Sequence, residues 1–319
     1  MRATYTETIK NGRTHQHLEV LNCGGGRQSS ALVLMACHGE IAKPDVVIMA
    51  DTGDELKATL NYWEQILVPA MDLAGIPHVV VTREHTHKTQ QGDFKVGNIR
   101  RDTLRSVAEG SRIANAPFFV DKGDGKKGLL KRACTSEYKI DPINKHIKRG
   151  IFGLAPGRRM ETKAIVRTVN QWIGIATEES QRAGGNSGSE WSTLTYPLLD
   201  LGMSTKDCEA KIVELGYPIP VKSACIGCPF RSNDSWARMK AEQPDAFAVA
   251  VDFDIRLRFP EGKGRLNDGL STEDYLLEVS YIKGSEFPAY IHSSLTPLGD
   301  VELPEWTGQD DGAFGGGYC

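Results

Sequence analysis

The chain has 319 residues, 40% hydrophobic and 25% charged, with a formal net charge of −3; this length supports one large α/β domain or a domain with an appendage, and the composition excludes a disordered or fibrous protein. No apolar run approaches membrane-spanning length and the first twenty residues lack the apolar core of a signal peptide, so no membrane partner and a cytoplasmic location are expected. Seven cysteines, an odd number and scattered apart from one C-x-x-C, fit a reducing compartment better than a disulfide framework and turn attention to metal or redox use.

In chain order, HLEVLNC (17–23), DVVIMAD (45–51) and HVVVT (78–82) are short, β-branched apolar runs that read as buried parallel strands. Between them lie two helical stretches. SSALVLMACHG opens on serine and closes on glycine, and GDELKATLNYWEQILVPAMDLAG sets Leu56, Leu60, Trp63, Leu67 and Met71 at helical spacing before its own glycine. Strand–helix alternation predicts a right-handed parallel α/β layer with helices on both faces. From 83 to 170 the pattern loosens, with KGDGKKG and LAPGRR as surface loops, and this middle would admit a substrate.

WIGIAT (172–177) reads as a further strand, and STKDCEAKIVELGYP as a helix opened by a Ser204/Asp207 capping box and stopped at Gly216. CIGC (225–228) and a helix over PDAFAVAVDFDIRLR follow, and DDGAFGGGYC reads as a flexible tail. Residues 1–245 are taken as one domain including the cysteine region. Residues 246–319 are a C-terminal extension of helical and irregular character.

Charge is segregated along the chain. Residues 126–167 carry twelve Lys or Arg against Glu137, Asp141 and Glu161, whereas residues 268–319 carry ten acids against Lys283. The basic block reads either as a surface for a polyanion or as a solvated loop.

In LNCGGGRQSSALVLMA (21–36), glycines between a buried strand and a helix let backbone N–H groups approach an anion, and the helix N-terminus favours it. The stretch matches neither G-x-G-x-x-G nor G-x-x-x-x-G-K-[ST]; the alternative is a turn that serves only strand–helix packing. With ADTGDE (50–55), ACTSEYKIDPI (133–143), WIGIATEESQRA (172–183) and YPLLDLGMSTKDCEAKIVELGYPIP followed by CIGCPF, it forms an ordered motif set over residues 17–245. This set resembles the ATP-pyrophosphatase (PP-loop) superfamily, in particular its branch of phosphoadenylylsulfate reductases and sulfur-transfer proteins of DNA phosphorothioation. Gly24 stands where the family's loop has its first serine, and Gln28 where it has aspartate.

The resemblance implies that Gly24, Gly25, Gly26, Arg27, Gln28, Ser29 and Ser30 cradle the phosphates of ATP, with Arg27 offsetting their charge. Asp51, Thr52 and Gly53 would then sit beside the nucleotide or its Mg2+, at the carboxyl ends of the strands where open parallel sheets bind ligands. Asp51 could instead cap the helix near Glu55. Glu178, Glu179 and Arg182 would face the same crevice, Arg182 as a phosphate clamp, while their other reading is a helix start with acids in its first turn.

C225-I-G-C228-P presents two thiolates from one loop. The resemblance adds Cys134, so three thiolates suit a [4Fe–4S] cluster with one open iron. A structural zinc with a fourth ligand such as Cys319 or a histidine, a dithiol, and plain packing are the alternatives. Cys319 resembles in position the tail nucleophile of the family's reductases; nucleophile, persulfide carrier and fourth ligand are its readings. Cys23, Cys37 and Cys208 read as packing thiols, and the HTH at 85–87 as a polar loop.

Three functions follow from these readings. The first is an ATP-dependent sulfurtransferase acting on nucleic acid, with DNA phosphorothioation ahead of tRNA thiolation and a cysteine desulfurase or other sulfur donor as partner. The second is a reductase of adenylylated sulfate. The third is a nucleotide sensor without catalysis, suggested by Gln28.

Overall fold

The computed structural model describes residues 5–89, 92–108, 116–122, 126–184, 189–258 and 288–308. Two compact units interleave along the chain. The first is built from Met1–Asp51, Lys57–Thr82 and Lys139–Ser223, the second from Thr52–Leu56, Arg83–Tyr138 and Ala224–Cys319.

The first unit is an α/β layer. An antiparallel hairpin joins β1 (Thr6–Lys10) to the long β2 (Arg13–Cys23). Then β3 (Val46–Asp51), β4 (His78–Thr82), β9 (Ile165–Ile173) and β10 (Ser192–Thr195) complete a five-stranded parallel sheet in the order β10-β9-β2-β3-β4. Strand alternation divides the core in two. Leu21, Cys23, Val47 and Met49 face α1 (Arg27–His38), α3 (Val68–Ala74) and α7 (Thr205–Glu214). Leu18, Val20, Val46 and Ile48 face Ile143 of α5 (Asp141–Lys145) and Ile147 of the π-helical turn His146–Ile151, so helices cover both faces as the sequence pattern predicts.

Helix α1 is buried continuously from Ser29 to Ala36, which explains why its sequence is apolar all round. It ends where expected: Gly39, at φ 76°, donates its N–H to the Ala36 carbonyl. The next helix is less regular than its spacing predicts. It begins at Lys57 as α2 (Lys57–Tyr62), widens into a π turn over Trp63–Leu67 and resumes as α3. Pro69 has no N–H for a bond four residues back, and just before it Val68 donates instead to the Trp63 carbonyl five residues back. Leu56 lies outside the helix and joins the core of the second unit.

The strand read as WIGIAT lies earlier, as β9, and residues 177–182 form a 3-10 turn, Thr177–Arg182. Polar side chains concealed β9, because the sheet satisfies them internally. Asn170 Nδ2 and Trp172 Nε1 both donate to Glu19 Oε2, at 2.9 and 2.6 Å, and Gln171 Nε2 donates to Ser192 Oγ at 2.7 Å. After α6 (Pro197–Asp200), α7 carries the predicted capping box of Ser204 and Asp207.

In the second unit, β5 (Glu84–Thr89) and β6 (Gly92–Val96) form a hairpin before α4 (Ile99–Ala108). A small antiparallel sheet sets β7 (Phe119–Asp121) between β8 (Lys127–Leu129) and β11 (Ala289–Tyr290). Helices α8 (Asn233–Glu242) and α9 (Pro244–Arg258) supply Trp236, Phe253 and Leu257 to a core shared with Phe118 and Tyr138.

A buried ion pair, invisible in the sequence, fixes α9 in this unit. Asp254 and Arg258, both 0% exposed, meet at 2.8 Å, and Asp254 also accepts the N–H groups of Ile291 and Leu298 at 2.9 Å each. Arg258 donates to the Ala289 carbonyl and lies over the Tyr290 ring. Removing one partner strands the other charge, which typically costs about 3–5 kcal/mol. Asp254→Ala is therefore expected to lower the urea midpoint by that equivalent, and a midpoint within error of the parent would refute the assignment.

Candidate functional site

The glycine turn of the first unit follows β2 at its carboxyl end and leads into α1. Its three glycines do different work. Gly25 has φ +70°, and a Cβ there would stand 2.7 Å from Thr59 Cγ2, so glycine is required twice over. A Cβ on Gly26 would come 3.3 Å from Ser223, whereas one on Gly24 meets nothing within 4 Å. Gly26 is the N-cap of α1 and brings no side-chain acceptor to the leading N–H groups of the helix, a condition suited to an incoming anion.

The turn is braced from within. Ser29 Oγ accepts the Gly24 N–H at 3.2 Å, and Cys23 Sγ accepts the Gly25 N–H at 3.4 Å. Burial pushes the Cys23 thiol up, against the opposing hydrogen bonds of Gly25 and Ser29, which fits a packing thiol. Ser30 is fully buried in the same first turn. Beside it β9 passes so closely that a Cβ on Gly174 would stand 2.9 Å from the Ser29 nitrogen. Nothing in the local sequence of WIGIAT marks this contact.

Gln28 reaches out of the turn. Its Nε2 donates to Thr205 Oγ1 at 3.1 Å and to Glu179 Oε2 at 3.4 Å. Glu178 Oε1 accepts the Thr205 N–H at 2.9 Å and so serves α7. Its carboxyl lies below the usual range: burial pushes it up, but hydrogen bonds from Thr205 and Thr177 and from backbone N–H groups outweigh that. The two arginines assigned to phosphate are engaged with acids. Arg27 meets Glu209 at 2.7 Å and Arg182 meets Glu179 at 2.5 Å.

Asp51 ends β3 in the first unit, and the rest of its motif, Thr52 to Glu55, belongs to the second. There the turn is joined to the cysteine loop. Ile226 N–H donates to the Asp54 carbonyl at 2.7 Å, Gly227 N–H donates to Asp54 Oδ2 at 3.2 Å, and Glu55 pairs with Cys225 in an isolated antiparallel bridge. Thr52 Oγ1 lies 3.2 Å from Cys225 Sγ and donates to Glu55 Oε1 at 3.1 Å, and the Cys225 thiol lies 3.8 Å from that carboxylate oxygen. Gly53, at φ +72°, packs against Gly97 and Asn98, where a Cβ would stand 2.7 Å from the Gly97 oxygen.

Asp54 is 2% exposed and meets Arg100 at 2.8 Å. Burial pushes its carboxyl up, and Arg100 and the Gly227 N–H oppose that rise. On the other side of the cysteine loop, the buried Arg231 donates to the carbonyls of Ala224, at 2.8 Å, and Cys225, at 3.0 Å. Asp54 and Arg100 escape sequence reading because each acts through long-range partners, while Arg231 acts within its own loop, on backbone carbonyls that carry no sequence signal.

Cys134, Cys225 and Cys228 all belong to the second unit, and Cys134 and Cys225 pack on its core. Among the described residues, no three His, Cys, Asp or Glu side chains are gathered as ligands of one ion. Cys319 lies outside the described residues, as do most of the acidic C-terminal residues and the tail. Burial raises the Cys37 thiol to about 11 and the Cys208 thiol to about 12, matching their reading as packing residues. No described helix is long and apolar enough to cross a membrane.

No family model matches the chain, and no curated protein does. Among solved structures, phosphoadenylyl-sulfate (PAPS) reductase from Candida auris, in a phosphate complex, is similar at 11% identity over 63% of this chain and 74% of that one, with a TM-score of 0.37. A likeness at that level carries no inference about activity.

Two outcomes follow from this geometry. Gly25→Ser is expected to cost about 1–3 kcal/mol from its left-handed backbone, read as a lowered urea midpoint, while Gly24→Ser leaves the midpoint where the parent has it. Equal midpoints of the two variants would contradict the division of work among the glycines. Glu178 has a lowered folded pKa, so its contribution is present above its unfolded value and is lost as pH falls through the folded one. Thermal melts from pH 6 to pH 3 should show a shallower acid loss in Glu178→Gln than in the parent; parallel curves would contradict the capping role.

Proposed function

We propose that this chain is an ATP-pyrophosphatase-type sulfurtransferase that adenylylates a nucleic-acid acceptor, with DNA phosphorothioation as the pathway and tRNA thiolation as its alternative. The observation that carries the reading is the glycine turn, where Gly25 and Gly26 leave the N-terminus of α1 without a side-chain cap at the carboxyl edge of a parallel sheet. In this reading an acceptor oxygen attacks the α-phosphorus of ATP and pyrophosphate leaves; the outer sulfur of a Cys225 persulfide, loaded by the sulfur donor, then displaces AMP to give an acceptor–S–S–Cys225 disulfide, and an external thiol attacks the Cys225 sulfur, releasing the thiolated acceptor and forming a mixed disulfide. Gly24 to Ser30 bind the phosphates, and Asp51 lies toward the nucleotide with its Mg2+.

The cysteine loop supports the sulfur half of the proposal. Cys225 is the thiol set beside a hydroxyl and a carboxylate, those of Thr52 and Glu55. That setting gives its proton a path and makes it the preferred carrier over Cys134. Gln28 supports a functional turn as well. At a position beside Glu179 an aspartate would meet like charge, whereas the amide donates to it.

Anaerobically purified protein with ATP, Mg2+, a sulfur donor and duplex DNA or tRNA is expected to release pyrophosphate and to transfer sulfur. Cys225→Ser should retain the first and lose the second. No pyrophosphate with any acceptor would sink the proposal. Sulfite formation from adenylylated sulfate, lost in Cys319→Ser, would replace it by the reductase reading, and nucleotide binding with neither product by the sensor. Iron and zinc content of the same preparation tests the [4Fe–4S] cluster and its zinc alternative.

A further inference from the structure

The basic block of the sequence is not one surface. Lys126 to Arg132 belong to the second unit and Lys139 to Arg167 to the first. Within the first unit, residues 158–164 lead into β9, and Thr14 at the start of β2 donates its N–H to the Ala164 carbonyl. They therefore lie at the amino ends of the strands. The glycine turn lies at the other end, beyond the eleven residues of β2, which extend roughly 30 Å.

We propose that Arg149, Arg158, Arg159 and Lys163, with Lys10 of the neighbouring hairpin, form a docking surface for the phosphodiester backbone of duplex DNA. All five side chains are exposed. The segment that carries four of them is folded onto the sheet, not loose. Ile147, Phe152 and Met160 anchor it in the core, Leu154 N–H donates to the Lys148 carbonyl, and Arg158 N–H donates to the Ala155 carbonyl. Charges held on an anchored segment keep a fixed spacing, as backbone tracking requires.

The local acid does not neutralise them. Glu161 is engaged by Arg13 at 2.7 Å, and among the described residues no carboxylate pairs with any of the five cations. Unpaired exposed cations are the footprint of polyanion binding.

The chemistry around the patch selects among polyanions. Single strands bind through open aromatic platforms on which bases stack. Here the aromatic rings are covered: Lys148 Nζ stands 4.8 Å over the Trp191 ring, and Phe152 is buried beneath Arg167. An anionic membrane would favour apolar side chains among the cations. Among the described residues none of the exposed large apolar side chains lies between 146 and 163, and Ile9 beside Lys10 stands alone, where insertion would need several. Charge without stacking or insertion fits a duplex read by its backbone. The inference extends the nucleic-acid part of the proposed function but does not depend on ATP chemistry.

The test uses the full chain without ATP, so its failure leaves the pyrophosphate assay standing. Fluorescence anisotropy of a labelled 25-base-pair duplex is measured across a salt series. The quadruple variant Arg149→Gln, Arg158→Gln, Arg159→Gln, Lys163→Gln is expected to bind about tenfold more weakly or worse, with the slope of log affinity against log salt reduced by about 3–4. Its melting temperature should match the parent's, because the four side chains are exposed. Unchanged affinity and slope would overturn the proposal, as would no binding by the parent. Binding of single-stranded DNA as tight as the duplex, or tighter binding to phosphatidylserine vesicles, would overturn the choice of partner.

Discussion

The cysteine loop of the second unit depends on a buried carboxylate, Asp54. Asp54 is nearly inaccessible to water, and it binds Arg100 through one oxygen and the Gly227 N–H through the other while its carbonyl takes the Ile226 N–H. Burying such a group costs several kcal/mol per ion and returns little net stability. Its return is positional. Together with the Glu55–Cys225 bridge, that anchor holds the turn from Thr52 to Glu55 against the loop from Cys225 to Cys228. With it, the Thr52 hydroxyl and the Glu55 carboxylate are delivered to the Cys225 thiol. Gly53 serves the same end: its left-handed backbone and close approach to Gly97 are packing requirements, which accounts for the glycine of the motif without any ligand.

A different logic holds at the glycine turn. Arg182 holds Glu179 in a partly exposed ion pair worth about 0–1 kcal/mol, whereas Arg27, 11% exposed, holds Glu209 in a largely buried one. The first can be exchanged for another anion at small cost and the second cannot, because breaking it leaves a buried charge unmatched. Neither pair makes the turn electropositive, because a cation already matched by a carboxylate contributes little field of its own. What the turn offers beyond them is backbone N–H groups, and hence the glycines that leave those groups approachable. Gln28 adds to this. Its amide ties the turn to Thr205 and Glu179, acting as a brace from α1 to the start of α7.

What the sequence disclosed depended on the range of the interaction. Strands β2, β3 and β4, helix α1 with its Gly39 stop, and the Ser204 capping box were legible because each is written in consecutive residues. Strand β9 was misplaced because its polar side chains look unsuited to a central strand until Glu19 and Ser192 are seen to receive them. The π turn before Pro69 was hidden, although the proline itself was a sufficient signal for a break. At the sites, the glycines and cysteines were legible by motif. Of the residues that fix them, Asp54, Arg100 and Gly174 act on partners tens to more than a hundred residues away, and no local pattern announces them, whereas Arg231 holds carbonyls only six and seven residues back.

Charge shows the same limit in sharper form. A run of twelve cations in forty-two residues looks like one surface in the sequence, yet the chain crosses from one unit to the other inside it. What matters physically is which cations share a face and lack a carboxylate. By that criterion the exposed group gathers at the amino ends of the parallel strands, around Arg158, Arg159 and Lys163, while the glycine turn of the same unit lies at the carboxyl ends. The eleven residues of β2 separate the two groups, so neither can screen or pair with the other at ordinary ionic strength. A ligand small enough to sit at one end of the strands is blind to the charge at the other, and only an extended polyanion could respond to both, which is why the placement of the cations, and not their number, decides what the charge can recognise.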